Sequence, residues 1–296
     1  MEINSGAAEE LNRFINRSYS RRKWKNRVFY GLLALCAIGA LSPLFSIFGY
    51  VITQGYPAIN WAFFTELPKP VGEVGGGMAN ALIGTLILMT LASVVGVTWG
   101  VLVGIFLSEY QLSRISPVIR FSADLLASVP SILIGLFVYT LVVMPMKHFS
   151  AAAGGLALGL LMIPTVARTT EELLKMVPIH IREAGLALGL ARWKVTLFIV
   201  LRGSMRGIIT GVMLSVARVA GETAPLLFTA FGNRFWSLNL GEPISSIPVQ
   251  IYTYAISPFE DWHRQAWAGA FLLVMAVFML NVITRLVFRP APRGVE

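Results

Sequence analysis

Six apolar runs, at about 28–53, 78–108, 121–146, 151–167, 208–231 and 265–288, dominate the sequence. A helix needs roughly 20 apolar residues to cross the hydrocarbon of a bilayer, and about 17 at the shortest. Inside lipid every backbone N–H and C=O must be satisfied within the chain, so runs of this length fold as helices. The expected fold class is an all-α integral membrane protein with six transmembrane helices. Composition agrees, with 56% hydrophobic and 13% charged residues over 296 positions and a mean hydropathy of +0.70. The first run is too long for a signal-peptide core and no small-residue cleavage site follows it, so it is expected to remain as a helix, bent at Pro43.

The net charge of +9 would suit a nucleic-acid binder only if the basic residues shared one face of a soluble module. They lie between the apolar runs instead, so no nucleic-acid partner is expected and the charge sets topology. Nineteen Lys and Arg fall in residues 1–27, 109–120, 168–206 and the tail, against four on the other side, Lys69, Lys147, Arg234 and Arg264. The excess of basic residues on cytoplasmic loops puts both termini in the cytoplasm. Cys36, the one cysteine, excludes an intrachain disulfide and reads as a small buried hydrophobe. His148, His180 and His263 have no metal-ligand spacing, and no metal or cofactor is expected. Gly75-Gly76-Gly77 lacks the Gly-Lys-Ser/Thr ending of a nucleotide loop. It reads as a flexible lead-in to the second span, and any ATP hydrolysis belongs to another chain. Gly96, Gly100 and Gly104 mark a close helix-packing face. Pro130, between Ser128 and Ser131, should kink the third span, and Asp124 reads as a capping or surface residue.

The fifth run carries Arg218, ten residues after Ile208 and thirteen before Phe231. Its guanidinium keeps its proton, at a cost of roughly 2.5 kcal/mol or more at mid-membrane. Glu222, four positions on, would share a helical face and pair with it. Either this face lines a path for a charged solute, the default for intramembrane ionisable groups, or it is an ion pair that locks helices together. Thr223 stands beside Glu222. Arg168, among Thr165, Thr169 and Thr170 at the end of the fourth run, is an interfacial anchor or a second anion contact. Pro178 to Gly189 reads as a short helix, with Pro178 in its first turn and Gly189 as a left-handed cap. Its apolar positions suit a partner's groove or the bilayer surface. The connection 232–264 is rich in aromatics, which collect at membrane surfaces.

Glu183-Ala184, with Gly189, Ile199 and Leu201 at their spacing, resembles the Glu-Ala-Ala loop of binding-protein-dependent ABC transporter permeases. In that family the loop is the coupling helix that docks into the ATPase subunit, which implies ATPase-coupling roles for Glu183, Ala184, Gly185 and Gly189. Gly185 replaces the usual third Ala and should loosen the helix. Arg202 stands where a Pro is usual, so a sharp break before the fifth span loses its cause. The run Arg218-Val-Ala-Gly-Glu-Thr-Ala-Pro, together with Gly76-Gly-Met-Ala-Asn-Ala81 and Arg168-Thr-Thr-Glu171, is similar to the phosphate-specific permeases of the family. A sister permease of the same transporters shares part of that run.

The resemblance implies an ABC importer permease core, at 28–288, between a basic cytoplasmic segment, 1–27, and a cytoplasmic tail, 289–296. It implies a transport subunit, not an enzyme, in the inner membrane of a bacterium, that moves inorganic phosphate with energy from ATP hydrolysed elsewhere. Implied partners are a homologous second permease subunit, a dimer of ATPase subunits, an extracytoplasmic phosphate-binding protein and membrane lipid. Arg218, Glu222, Thr223 and Arg168 are the implied pathway residues. Three alternatives stay open: the same architecture for molybdate or phosphonate, an ion-coupled secondary transporter, for which no internal repeat is evident, and a structural scaffold.

Overall fold

The computed structural model describes residues 5–287, with side chains at Tyr19 and from Arg22 onward. Among the described residues the regular secondary structure is helical, joined by turns and loops such as 231–246, with an isolated bridge between Pro68 and Gly76. Arg289, Arg293 and the expected cytoplasmic tail, 289–296, lie outside the described residues.

The chain forms two units, divided after Thr53. The first is most of α1 (Ser5–Gly55), which runs unbroken through Pro43. Its apolar side chains, among them Leu35, Ile38 and Phe45, are exposed all round, as suits a helix solvated by lipid. Cys36 is exposed on this helix, not buried as its residue type suggests.

The second unit holds α2 (Ala79–Glu109), α3 (Ser116–Ser128), α4 (Ser131–Met146), α5 (Ala151–Lys175), α6 (Ile179–Ala187), α7 (Arg192–Val219), α8 (Ala224–Thr229), α9 (Ile247–Ala255) and α10 (Glu260–Val287). The α2–α5 pair is the most extensive contact between elements. A Cβ placed on Gly96 would stand 2.5 Å from Cβ of Met162, one on Gly100 2.7 Å from Val166, and one on Gly104 2.5 Å from Thr170. The offset between partners is constant, so the two helices run parallel, and the small residues let their backbones touch. Gly100→Val should therefore lower the thermal midpoint of the purified permease by the equivalent of about 1–3 kcal/mol, the usual range for overpacking. Gly203→Ala is the matched control, because nothing stands within 4 Å of a Cβ there.

Parallel α2 and α5 require residues 110–150 to carry the chain back across the thickness of the bundle. The bent pair α3–α4 therefore counts as one crossing, although its halves meet at 103° around Pro130. The kink expected from the proline is a right-angled break. α7 is antiparallel to α5, with Gly207 against Leu173 and Gly211 against Thr169.

Two further expectations need correction. The fifth span does not occupy 208–231: it runs from Arg192 to Val219 and stops. Pro225 has no N–H to give to the carbonyl of Gly221 and its ring would clash with that carbonyl in a continuous helix, so the chain leaves the helix at 220–223 and restarts as α8, with Pro225 in its first turn. At the other end Arg202 keeps its N–H, and a π-helical turn over Val195–Leu201 joins α7 into one helix with no sharp break. The glycine triplet, in turn, is a packed junction and not a flexible lead-in. Gly75 N donates to Asp261 Oδ2 at 3.0 Å, Gln265 Nε2 donates to Gly75 O at 2.8 Å, and a Cβ on Gly77 would stand 2.2 Å from Ala62 O.

Candidate functional site

Arg218 lies in the last turn of α7. Extending the α5–α7 register by two turns puts it level with Met162. At 1.5 Å per residue that is about 17 Å from the Ala151 end of α5 and about 20 Å from the Lys175 end. The shared core of Val219, Leu158 and Met162 fits this register. The guanidinium is thus at mid-depth, where the sequence put it, but at the end of a broken helix and not at the centre of a whole one.

The second broken span meets the first here. α4 packs on α8, and a Cβ on Gly135 would stand 2.5 Å from Cα of Pro225. Two interrupted helices at one level are what membrane transport sites use, because backbone freed from the helix can be tolerated only where protein or a wet cavity surrounds it.

The expected Arg218–Glu222 pair is absent. α7 ends at Val219, so Glu222 has no helical face to share with Arg218, and its N–H bonds Val219 O at 3.0 Å in the turn. Among the described residues neither side chain forms an ion pair. Arg218 is exposed on this chain, while Glu222 and Thr223 are half-buried.

Arg168 is elsewhere. It lies six residues beyond Met162 on α5, about 9 Å further along the axis. It pairs with Asp124 of α3, and its Nε is 3.6 Å from Glu172 Oε1. The neighbouring Glu171 is nearly buried and takes Arg120 at 2.7 Å and Lys175 at 2.5 Å. These groups line a cavity of about 280 Å³. Burial makes the Glu171 pairing matter, since a carboxylate removed from water is costly unless paired. This charged cluster lets α5 continue to Lys175, past the apolar stretch that ended at Ala167. Asp124 is thus a partner of Arg168, more than a cap.

In the 173–206 segment, α6 exposes Glu183 and Ala184 and buries Gly185. A Cβ at Gly185 would sit 3.0 Å from both Val195 and Ile199 side chains, so the glycine seats α6 on the π turn and does not merely loosen it. Gly189 has φ +80°, the left-handed cap expected, and donates to Leu186 O at 2.9 Å. The sequence did not single out the residues that fasten α6. Arg182 pairs with Glu109 at the end of α2 and donates to Leu174 O at 2.8 Å, and Arg192 donates to Glu109 O at 3.3 Å. Glu109 is the first acid after a long apolar run, but no spacing linked it to Arg182. Beside this pair is a groove of about 1000 Å³ lined by Tyr110, Leu112, Ile179, Glu183 and Leu186, among others. Leu112, Ile179 and Leu186 of its lining are exposed.

Comparisons with known proteins agree with this architecture. The family model described as "Binding-protein-dependent transport system inner membrane component" matches residues 96–291. The phosphate transport system permease protein PstA of Haemophilus influenzae is 47% identical over 275 residues, covering 93% of this chain and 97% of that protein. PstA of Yersinia pestis is 46% identical over 268 residues, covering 90% and 91%. A solved structure of the MetNI methionine ABC transporter in an inward facing conformation aligns at TM-score 0.55 and 16% identity, over 71% of this chain and 92% of that one, which supports the fold. The chain is therefore a multi-pass membrane permease that belongs to the family of binding-protein-dependent transport system inner membrane components and is a relative of the PstA permeases.

Proposed function

We propose that the chain is one permease subunit of an ATP-driven importer of inorganic phosphate. The observation that carries this reading is Arg218: a permanent cation at mid-depth, unpaired among the described residues, exposed beside two broken spans. Its planar fork suits two parallel hydrogen bonds to a tetrahedral oxyanion. The exposed face of Arg218 is closed by a homologous second permease, so that the anion passes between the two subunits. With both termini and α6 in the cytoplasm, as the basic residues favour, an extracytoplasmic phosphate-binding protein delivers the anion at the opposite end. Two ATPase subunits receive α6 in a groove, and their closure moves α7 through Val195 and Ile199. Glu222 and Thr223 sit in the turn that follows Arg218. Glu222 limits how tightly the anion is held, because a pathway site must release what it admits. Arg168, held by Asp124 and Glu172, is a second cation that an anion can recruit on its way inward.

The test is competition in proteoliposomes holding the assembled transporter. Phosphate uptake should be little affected by excess molybdate or phosphonate; preferential uptake of either would move the chain to another oxyanion. Uptake that survives ATPase-dead partners but collapses with the ion gradient would remove the ATP-driven reading. Glu183→Lys puts the wrong charge on the exposed face of α6 and should lower transport-stimulated ATP hydrolysis several-fold with the permease still assembled. Unchanged stimulation would remove Glu183 from the docking surface.

A further inference from the structure

A second polar cavity, of about 230 Å³, lies among the start of α2, the turn after α8 and α9. It is at the end of the bundle opposite Glu109 and α6. Arg234 is the one charged residue in its lining, and no carboxylate lines it. Three of its polar groups have hydrogen bonds left to make or a charge left to place. The first is Arg234, exposed, with its guanidinium 5.5 Å over the ring of Trp262. The second is the Tyr254 phenol. Ser245 Oγ donates to Gln250 Oε1 at 3.0 Å, and Gln250 Nε2 donates to Tyr254 Oη at 3.1 Å. That chain of donors ends on the phenol, whose own proton has no acceptor among the described residues. Burial pushes Tyr254 above its ordinary 10.0, while the Gln250 hydrogen bond and Arg234 offset part of the effect. It therefore stays an O–H donor at physiological pH. The third is Asn80, 5% exposed, whose Nδ2 is spent on Asn233 O while its Oδ1 is buried without a partner. A buried acceptor left unpaired is costly, so it calls for a donor.

A cation, an unspent donor and an unspent acceptor together are the complement of an oxyanion that carries a hydroxyl. We propose that this cavity is a loading site that holds a protonated tetrahedral oxyanion, of the hydrogenphosphate class, before it descends to Arg218. The anion's oxygens take Arg234 and Tyr254, and its P–OH satisfies Asn80. Sulfate, which has no proton at neutral pH, leaves Asn80 unmet, so the cavity discriminates between the two ions before the pathway does. Trp262, stacked on Tyr254 at 4.5 Å, fixes both the phenol and the guanidinium above it. Leu227 of α8 lines the cavity, so its floor is the same short helix whose other end adjoins the Arg218 break. The volume has room for one such ion and some water, at about 30 Å³ for each water.

The inference rests on the phosphate-import reading, and its test separates the two. Thr253, in the lining, is changed to Cys in a Cys36→Ser background, and the assembled transporter in nanodiscs is labelled with an anionic thiol reagent. Inorganic phosphate should slow labelling at concentrations at least tenfold below those of sulfate. Arg234→Gln should raise the protecting phosphate concentration at least tenfold. Labelling that phosphate does not slow, or slows equally in Arg234→Gln, overturns the loading site. Phosphate uptake is measured in parallel with Cys36→Ser alone: uptake with no protection removes the loading site and leaves the import reading intact. Protection by, and uptake of, a different protonated oxyanion keeps the site and removes phosphate as its substrate. If Thr253→Cys does not assemble, Tyr254→Phe reads the same claim, with uptake down about fivefold at limiting phosphate and near wild type at saturation. Unchanged uptake at limiting phosphate overturns the proposal.

Discussion

Arg218→Gln is expected to cut phosphate uptake about 100-fold in membranes with normal levels of the assembled transporter. Two charge-assisted hydrogen bonds from one guanidinium are together worth about 3 kcal/mol, which is about a factor of 100 in rate if they form at the barrier. Glutamine keeps a polar donor but loses the charge and the fork. Arg218→Lys keeps the charge alone and should fall in between, at about tenfold. The ordering matters more than the values. A structural role would make both substitutions lower the amount of folded permease, whereas a pathway role leaves protein levels alone and ranks uptake as arginine, lysine, glutamine. Near wild-type uptake by Arg218→Gln would end the pathway role.

The second large effect is expected at the base of α6. Arg182 and Glu109 are both largely withdrawn from water, with side chains 15% and 9% exposed. Arg182→Ala leaves Glu109 without its cation and Leu174 O with only the longer bond from Val177 N, at 3.3 Å. Breaking a pair of this kind costs about 3–5 kcal/mol, mostly from the charge left behind. The thermal midpoint of the permease should drop, and transport-stimulated ATP hydrolysis should fall with it, because α6 is no longer fixed to the end of α2. The double variant Arg182→Met, Glu109→Leu removes both charges and should recover most of the stability. If stimulation of the ATPase also returns, the pair serves only to hold the structure. If stability returns and stimulation does not, the pair transmits movement from α6 to α2.

How far the sequence discloses this molecule depends on the kind of residue. Apolar length showed the number of crossings, because lipid permits few alternatives. The Gly96–Gly104 stripe showed a packing face, because close approach of two backbones admits almost nothing else. Gly189 showed its cap, since a left-handed residue strongly favours glycine. Helix ends were harder to see. The fifth run is apolar on both sides of the 220–223 break, so hydropathy passes over it, although Pro225 stands just beyond the break. The Arg218–Glu222 pairing failed for the same reason: four-residue spacing means contact only while the helix lasts. Contacts between distant segments left no trace at all. Nothing in the spacing of Glu109, Asp124, Arg168 and Arg182 tells which carboxylate meets which cation, and the cavity brings Asn80 to Arg234 and Tyr254, more than 150 residues on.

The central claim is that Arg218 faces a route across the membrane, open to one side at a time. The most direct measurement is thiol accessibility of Arg218→Cys, in a Cys36→Ser background, in the assembled transporter. A membrane-impermeant reagent is applied from each side, without nucleotide and with ATP held on hydrolysis-dead ATPase subunits. Labelling from the cytoplasmic side in the first state and from the opposite side in the second is the result expected here. A cysteine that stays unreactive from both sides in both states would show the position facing lipid or sealed in protein, and would contradict the account.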